Sequence, residues 1–403
     1  MLAATTSEVA SSFLELGLNL LVLAALAFVA AKLHISPIPL YLLAGILAGI
    51  GGPLSLDDSG QFAALGAEIG VLLLLFMLGL EYTPRELTSA LRRGAVGGGF
   101  DLVVNGVPGV LAGLLLGWDP VAAILLGGVT YISSSGVIAK LVGDLGRIGN
   151  RETPHVLTLL VLEDLVMAVY LPVVAVLLVG TSMSEGALDV AVALAVVATI
   201  LIVLGRFGED IGELLHRRSG SVGDEVVLLS TFGAVLLVAG LVQQVDVSAA
   251  VGAFLVGVAI SGPAQRRAAD VISPLRDLFA AIFFFAFALG IDTETLPPVL
   301  PAAIALAAVG VITKMATGWV VAARAGVGID GRWRAGTTLI ARGEFSIVIA
   351  GLGTAQAVES DLGPLAAAYV LVLAVIGPLM ARPSKAPRVL RRLLVRPQPK
   401  TSV

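Results

Sequence analysis

Two adjacent carboxylates, Glu163 and Asp164, stand in the middle of HVLTLLVLEDLVMAVYLPVV (155–174), with apolar residues on both sides. An ionisable group in so apolar a run costs several kcal/mol unless it is paired or hydrated, so each needs a reason. Neighbouring residues on a helix point about 100° apart. One acid can therefore face a central cavity while the other meets a flanking helix. A partly desolvated carboxylate takes up either a proton or a small cation, and competition between the two is an exchange mechanism. The other reading of these acids is a buried structural ion pair, and it stays open for both.

Three further constellations belong with this pair. In TYISSSGVIAKL (130–141), Thr130, Ser133, Ser134, Ser135 and Gly136 make a poor helix interior, because serine competes for the backbone and glycine is too free. An unwound stretch here would aim carbonyls and hydroxyls at a cation that has shed water. In ARGEFSIV (341–348), Arg342-Gly343-Glu344 interrupts another apolar run. Its charges are expected to neutralise the ends of a broken helix, with direct ion contact as the alternative. Lys314 stands alone in AVGVITKMATGWVV (308–321). A buried ammonium needs a carboxylate, for which Glu163 or Asp164 is the expected partner. It would act as a proton carrier or as a lock released by ion binding; a snorkelling lysine is the plainer option. Glu68, Asp101 and Asn105 read as packing and helix-pairing groups.

The elements that must position these residues follow from composition. Of 403 residues, 57% are hydrophobic and 13% charged, and mean hydropathy is +0.99. Soluble proteins carry about 25% charged residues, and a soluble fold cannot hide this much apolar surface. The chain is an all-α polytopic membrane protein. It has no cysteine, which excludes thiol chemistry and cysteine-built metal sites. His34, His155 and His216 have no metal-ligand spacing, and no phosphate-binding GxxxxGK[ST] loop occurs. No cofactor, enzymatic activity or nucleic-acid partner is expected; membrane lipids are the surroundings.

A span needs about 20 apolar residues. Such runs number thirteen, near 11–31, 37–52, 62–80, 94–117, 120–141, 154–180, 187–206, 223–242, 247–261, 274–291, 298–322, 334–356 and 363–382. The first has no basic residue before Lys32 and reads as retained rather than as a cleaved signal. Basic residues gather in cytoplasmic loops. With thirteen spans, alternate loops and the tail hold 23 of the 25 Lys and Arg, and the remaining loops hold only acids. This places the N-terminus outside and the C-terminus in the cytoplasm. Dropping one span would scramble the alternation. The two leftover bases are Lys314 and Arg342.

The chain also repeats itself. LLLLFMLGLEYTPREL (72–87) resembles IFFFAFALGIDTETLP (282–297) at a shift near 211, matching Gly79 with Gly290 and Glu81 with Asp292. At 210, Gly52-Pro53 falls on Gly262-Pro263. Seven spans separate the copies, so they are expected to sit upside down relative to each other, as in secondary transporters. The expected organisation is a transmembrane unit over 1–385, with repeats about 37–180 and 247–382, a linker helix about 187–206 and a basic tail over 386–403. Two crossed, discontinuous helices would meet at the midplane.

Five segments together resemble the monovalent cation:proton antiporter 2 family: AEIGVLLLLFMLGLE (67–81), SSSGVIAKL (133–141), LLVLEDLVMAVYLPV (159–173), FFFAFALGID (283–292) and ARGEFSIVIAGLG (341–353). The resemblance covers essentially the whole chain. It implies a homodimer in a bacterial inner membrane, in which a core of crossed broken helices moves against a dimerisation domain. It places the family's ion-binding aspartate at Asp164, with a monovalent cation bound there, and its buried core lysine at Lys314. Glu163 departs from the asparagine, aspartate or glutamine of the branches, which leaves ion choice open. The chain runs about 20 residues past its last span without a nucleotide-binding fold, so regulation would come from a separate cytosolic subunit or the sequence is a shortened one. RGEFSIVIA is similar to the potassium/proton branch with a separate regulator. The function implied is exchange of K+, or else Na+, for H+. A passive channel would need a TVGYG-type filter, which is absent, and a solute symporter would need apolar groups for a carbon skeleton. With a second carboxylate near Lys314, exchange is expected to be electrically silent; a lysine that gave up its proton would make it electrogenic.

Overall fold

The computed structural model describes residues 2–33, 35–51, 61–80, 84–179, 223–244, 249–260 and 263–387. Its regular elements are α1 (Leu2–Leu33), α2 (Ile38–Ala48), α3 (Gln61–Leu80), α4 (Pro84–Leu115), α5 (Pro120–Tyr131), α6 (Ser135–Asp144) and α7 (Thr153–Val179). There follow α8 (Asp224–Gln243), α9 (Ala249–Ala259), α10 (Pro263–Leu289), α11 (Leu296–Arg324), α12 (Ile329–Thr338), α13 (Glu344–Ala355) and α14 (Leu362–Ala381), with a short 3-10 turn at Thr293–Thr295. Twelve of the expected spans fall on these helices. The span at 187–206, the Gly52-Pro53 match, Glu81 and most of the basic tail lie outside the described residues.

The expected fifth and twelfth spans are each two helices, α5 with α6 and α12 with α13. Three starts differ clearly: α1 begins at Leu2 rather than near 11, α4 at Pro84 rather than near 94, and α10 at Pro263 rather than near 274. The extra turns of α10 are amphipathic. Ala268 and Ile272 are buried beside Leu73 and Phe76, while Arg266 and Asp270 face outward. A shift of 211 carries Ile38–Ala48 onto Ala249–Ala259, so α2 and α9 correspond residue for residue. The same shift brings α4 onto α11, the α5–α6 pair onto α12–α13, and α7 onto α14.

The helices form two packed groups. In one, α3 lies against both α9 and α10, α2 packs on α10, and α8 closes over α9 and α10. Small residues let α3 and α9 cross backbone to backbone: a Cβ on Gly79 would lie 2.3 Å from the Phe254 carbonyl oxygen, and one on Gly257 would lie 2.2 Å from that of Phe76. In the other group, α4 packs on α5, α7 and α11, and α11 packs on α12 and α14. The broken helices lie inside this group; Leu125, Ile132, Ile347 and Tyr369 are buried in one apolar core. Outward faces are apolar, as with Phe13, Leu14 and Leu18 of α1, Leu229 and Leu237 of α8, and Ile304 and Ile312 of α11. Among the described residues, seven spans, counting a broken pair as one, are long and apolar enough to cross a bilayer. This is a multi-pass membrane protein.

Candidate functional site

The site begins where two helices stop. Asp119 caps the start of α5, accepting the Val121 N–H at 2.8 Å, and Pro120 fits the first turn. The helix ends at Tyr131 because Ile132 and Ser134 adopt extended backbone, and the Ser134 hydroxyl then caps α6 by accepting the Val137 N–H at 3.3 Å. On the other chain segment α12 ends at Thr338, and α13 starts at Glu344. The two interruptions cross in contact, with the Ser134 N–H donating to the Ala341 carbonyl at 3.0 Å.

Each half helix leaves unpaired backbone groups at its broken end, and the crossing sorts them by sign. The C-terminal ends of α5 and α12 share Arg342. Its guanidinium is fully buried and donates to the carbonyls of Thr130 at 2.9 Å and of Leu339 and Ile340 at 3.3 Å, with the Tyr369 hydroxyl at 3.2 Å. The N-terminal ends of α6 and α13 share Glu344, which lies in the first turn of α13 and accepts the Ser134 hydroxyl at 2.8 Å. A cation thus meets the negative helix ends and an anion the positive ones. A Cβ at position 343 would lie 2.5 Å from Ser134 Oγ, so only glycine leaves room for the crossing.

Beside the crossing lies the acid pair of α7. Glu163 has no exposed surface and Asp164 is 3% exposed. Glu163 accepts the Ser133 N–H at 2.5 Å through one oxygen and Lys314 Nζ at 2.9 Å through the other. The Ser133 hydroxyl lies 3.1 Å from Glu163 and 3.2 Å from the Leu339 carbonyl, and can donate to one at a time. Lys314, itself fully buried, also contacts both oxygens of Asp101, at 2.9 and 3.1 Å. Asn105 donates to Asp101 at 2.8 Å and to the Thr317 hydroxyl at 3.1 Å. The ammonium also sits 5.4 Å from the centre of the Tyr131 ring. The Tyr131 phenol oxygen and Asn105 Oδ1 are buried without a hydrogen-bond partner among the described residues. Three carboxylates (Asp101, Glu163, Asp164) against one ammonium leave two negative charges when all are ionised. Such a cluster can take up protons or a small cation.

The residues singled out in the sequence do not all do what was expected. Ser133, Ser134, Glu163, Lys314, Arg342 and Glu344 converge on the crossing, with Asp164 next to Glu163. Thr130 offers its carbonyl to Arg342, whereas its hydroxyl turns back to the carbonyls of Asn105 and Gly127, at 3.0 and 3.1 Å. Ser135 is half-buried in the first turn of α6 and is not among the groups holding Glu163 or Glu344. Glu68 is exposed on α3, away from the cluster. Lys314 has Glu163 as a partner but also Asp101. Asp101 and Asn105 join α4 to α11, as the helix-pairing reading expected, and they do so by holding the buried lysine, which that reading did not foresee. A signal was present. Asp101 and Asn105 are one turn apart on α4, and a shift of 213 brings Asp101 to Lys314, close to the repeat's own 211.

At the end of the molecule that carries the basic loops, Glu152 accepts Arg334 Nε and Nη2 at 2.5 and 3.1 Å. The chain leaving α14 is held there: Arg147 donates to the Arg382 carbonyl, Arg334 to that of Ser384, and Asp330 accepts the Ala386 N–H.

Residues 19–384 match the family model described as sodium/hydrogen exchanger, transmembrane. The chain belongs to this exchanger family. It is 34% identical over 380 residues to the K(+)/H(+) antiporter subunit KhtU of Bacillus subtilis, covering 92% of this chain and 93% of that one. It is 30% identical over 379 residues to the ammonium/H(+) antiporter subunit AmhT of Alkalihalophilus pseudofirmus, covering 90% and 91%. Its fold is that of the sodium proton antiporter MjNhaP1 from Methanocaldococcus jannaschii, with a TM-score of 0.68 at 15% identity, over 93% of this exchanger and 99% of that chain. The exchanger is a cation/proton antiporter, and its buried charge cluster lies beside the two broken helices.

Proposed function

We propose that the exchanger moves K+ in one direction and H+ in the other, with Asp164 as the group that binds them alternately. The observation that carries this is a buried acid pair set beside two crossed helix breaks. Glu163 is tied to Ser133 at one break and to Lys314, which holds the pair against the crossing. Asp164, 3% exposed beside it, stands at the position that resembles the family's ion-binding aspartate. Ser133 and the carbonyls at the breaks are the oxygen groups that would replace part of a cation's water. Arg342 and Glu344 keep the broken ends neutral, so the breaks persist whether the site is loaded or empty.

K+ is placed ahead of Na+ because a relative sharing 34% of its residues is named a K(+)/H(+) antiporter subunit. The word subunit in that name, and in the name of the ammonium/H(+) relative, supports a separate cytosolic regulatory partner. In this reading the chain works as a homodimer in a bacterial inner membrane, with its N-terminus outside and its basic loops and tail in the cytoplasm. It needs no cofactor and does no covalent chemistry.

Proteoliposomes loaded with an internal pH dye test the proposal. Adding K+ should dequench the dye more strongly than equal Na+ or NH4+, with no organic solute present and no standing conductance. A response to Na+ or NH4+ that exceeds the K+ response would reassign the ion. A flux that requires an organic solute would remove antiport itself.

A further inference from the structure

Lys314 has two carboxylates, and only one of them belongs to the acid pair of α7. Asp101 is on α4, Lys314 on α11 and Glu163 on α7, and all three side chains are fully buried. Asp101 meets the ammonium through both oxygens, at 2.9 and 3.1 Å, and Glu163 through one, at 2.9 Å. Their other attachments differ in kind. Asn105, one turn along α4, holds Asp101 and also reaches Thr317, one turn along α11 from Lys314. Asp101 is therefore locked to the lysine's own helix. Glu163 is instead held by the Ser133 backbone at the helix break, next to Asp164.

We propose that Asp101 is a positioning residue for exchange: it is the resident counter-ion of Lys314, so that Glu163 can turn toward the transported cation while the ammonium stays paired and protonated. The inference rests on the exchange reading above and assigns a role within it. A buried ammonium that lost its only carboxylate would be an uncompensated charge and would shed its proton. With Asp101 beside it, the lysine has no such need. Glu163 from α7, with Asp164 next to it, and Arg342 at the breaks also act in this neighbourhood, Glu163 and Arg342 both on Asp101. Lys314 and Asp101 then form a neutral unit that drops out of the transport cycle. The exchange of charge falls on Asp164, with Glu163 as a neighbour of fixed charge, and one cation replaces one proton without net charge movement.

The test pairs the pH-dye signal with current on a solid-supported membrane, using K+ as the added ion. It compares the wild-type chain with Asp101→Asn, Lys314→Gln and the double variant D101N/K314Q. Wild type should exchange without steady current. Asp101→Asn should still exchange, but with a steady current that scales with flux and with a displaced pH profile, because the lysine now releases its proton in each cycle. The double variant removes both charges of the unit. It should recover by about tenfold or more the flux that Lys314→Gln alone loses, and stay electrically silent. An Asp101→Asn protein that is silent, with the wild-type pH profile, overturns the proposal. A folded Asp101→Asn protein with no flux also overturns it, since Asp101 would then be a carrier. Where Asp101→Asn does not fold, the double variant decides: recovery supports the proposal, and inactivity equal to Lys314→Gln overturns it. Wild-type exchange accompanied by a steady current sinks this inference alone, whereas a wild type with no cation-dependent proton flux sinks the exchange reading beneath it.

Discussion

The Ser134 hydroxyl donates to Glu344 at 2.8 Å, joining the N-terminal ends of two half helices that lie 210 residues apart in the chain. The same hydroxyl accepts the Val137 N–H. One oxygen thus starts α6 and fixes the acid that starts α13. Contacts of this kind recur: Thr130 with Arg342 and Asn105 with Thr317 are each 212 residues apart, and Asp101 with Lys314 is 213. Residues near equivalent repeat positions touch each other, so the cluster sits close to the axis that relates the two halves.

Gly343→Ala tests how closely the crossing is fitted. The added Cβ, 2.5 Å from Ser134 Oγ, must push Ser134 away from Glu344. Overpacking of this sort costs about 1–3 kcal/mol. Exchange should fall by about tenfold or more, with a lower unfolding temperature in detergent. Wild-type flux in a folded Gly343→Ala protein would show that the breaks tolerate separation.

Arg342 serves three carbonyls and the Tyr369 hydroxyl through a planar fork. Lysine keeps the charge but cannot span them. Arg342→Lys should destabilise by about 1–3 kcal/mol, and Arg342→Gln by about 3–5 kcal/mol, since the charge is lost as well. Thermal unfolding of the purified protein ranks the two. Equal losses would mean that charge matters and fork geometry does not.

The two acids of α7 are expected to part company on mutation. Asp164→Asn keeps the shape but removes the titrating charge, so cation-dependent proton flux should drop to background while the protein still folds. Glu163→Gln keeps a group that can contact Ser133 and leaves Asp101 to hold Lys314. It should retain measurable exchange with an altered apparent K+ affinity. Complete loss in Glu163→Gln would make Glu163 a second obligatory carrier, and near-normal flux in Asp164→Asn would displace Asp164 from its role.

Outside the membrane, burial works against the charge of Glu152, yet the bonds from Arg334 outweigh it and hold its carboxyl below the usual carboxylate range. A depressed folded value means that the stabilisation is complete above the ordinary carboxylate pKa and is lost as pH falls through the lowered one. At pH 7, Glu152→Gln should cost about 1–3 kcal/mol. The gap in unfolding temperature between wild type and variant should narrow below about pH 4. A gap that stays unchanged well below pH 4 would count against the ion pair.

Much of this architecture was legible in the residues. Apolar run length and the alternation of basic loops located the spans, because a bilayer imposes both. Ser133, Ser134 and Arg342-Gly343-Glu344 announced helix breaks, because serine, glycine and buried charge are costly inside an apolar helix. Asp101 was harder to read. One acid in a span looks the same whether it pairs helices or holds a lysine, and its partner is more than 200 residues away. The hydroxyl of Thr130 misled for a related reason: composition shows that a hydroxyl is present at a break, and local backbone geometry decides that it folds back on Asn105 and Gly127. The start of α10 was misplaced because an amphipathic extension is not apolar enough to register as a span.

The shift of 211 that superposes α4 on α11 and α7 on α14 also carries Glu163 and Asp164 onto Ala374 and Val375, and Asp101 onto Ile312. In reverse it carries Lys314 onto Val103. The doubled scaffold is therefore inhabited by undoubled chemistry. The first half supplies Asp101, Glu163 and Asp164, and the second supplies Lys314 together with Arg342 and Glu344, so the buried lysine meets its counter-charges only across the two halves. Whatever ancestry the repeat records, the two halves have become specialised as the unlike plates of a capacitor, and the acid pair of α7 sits in a frame with room for two.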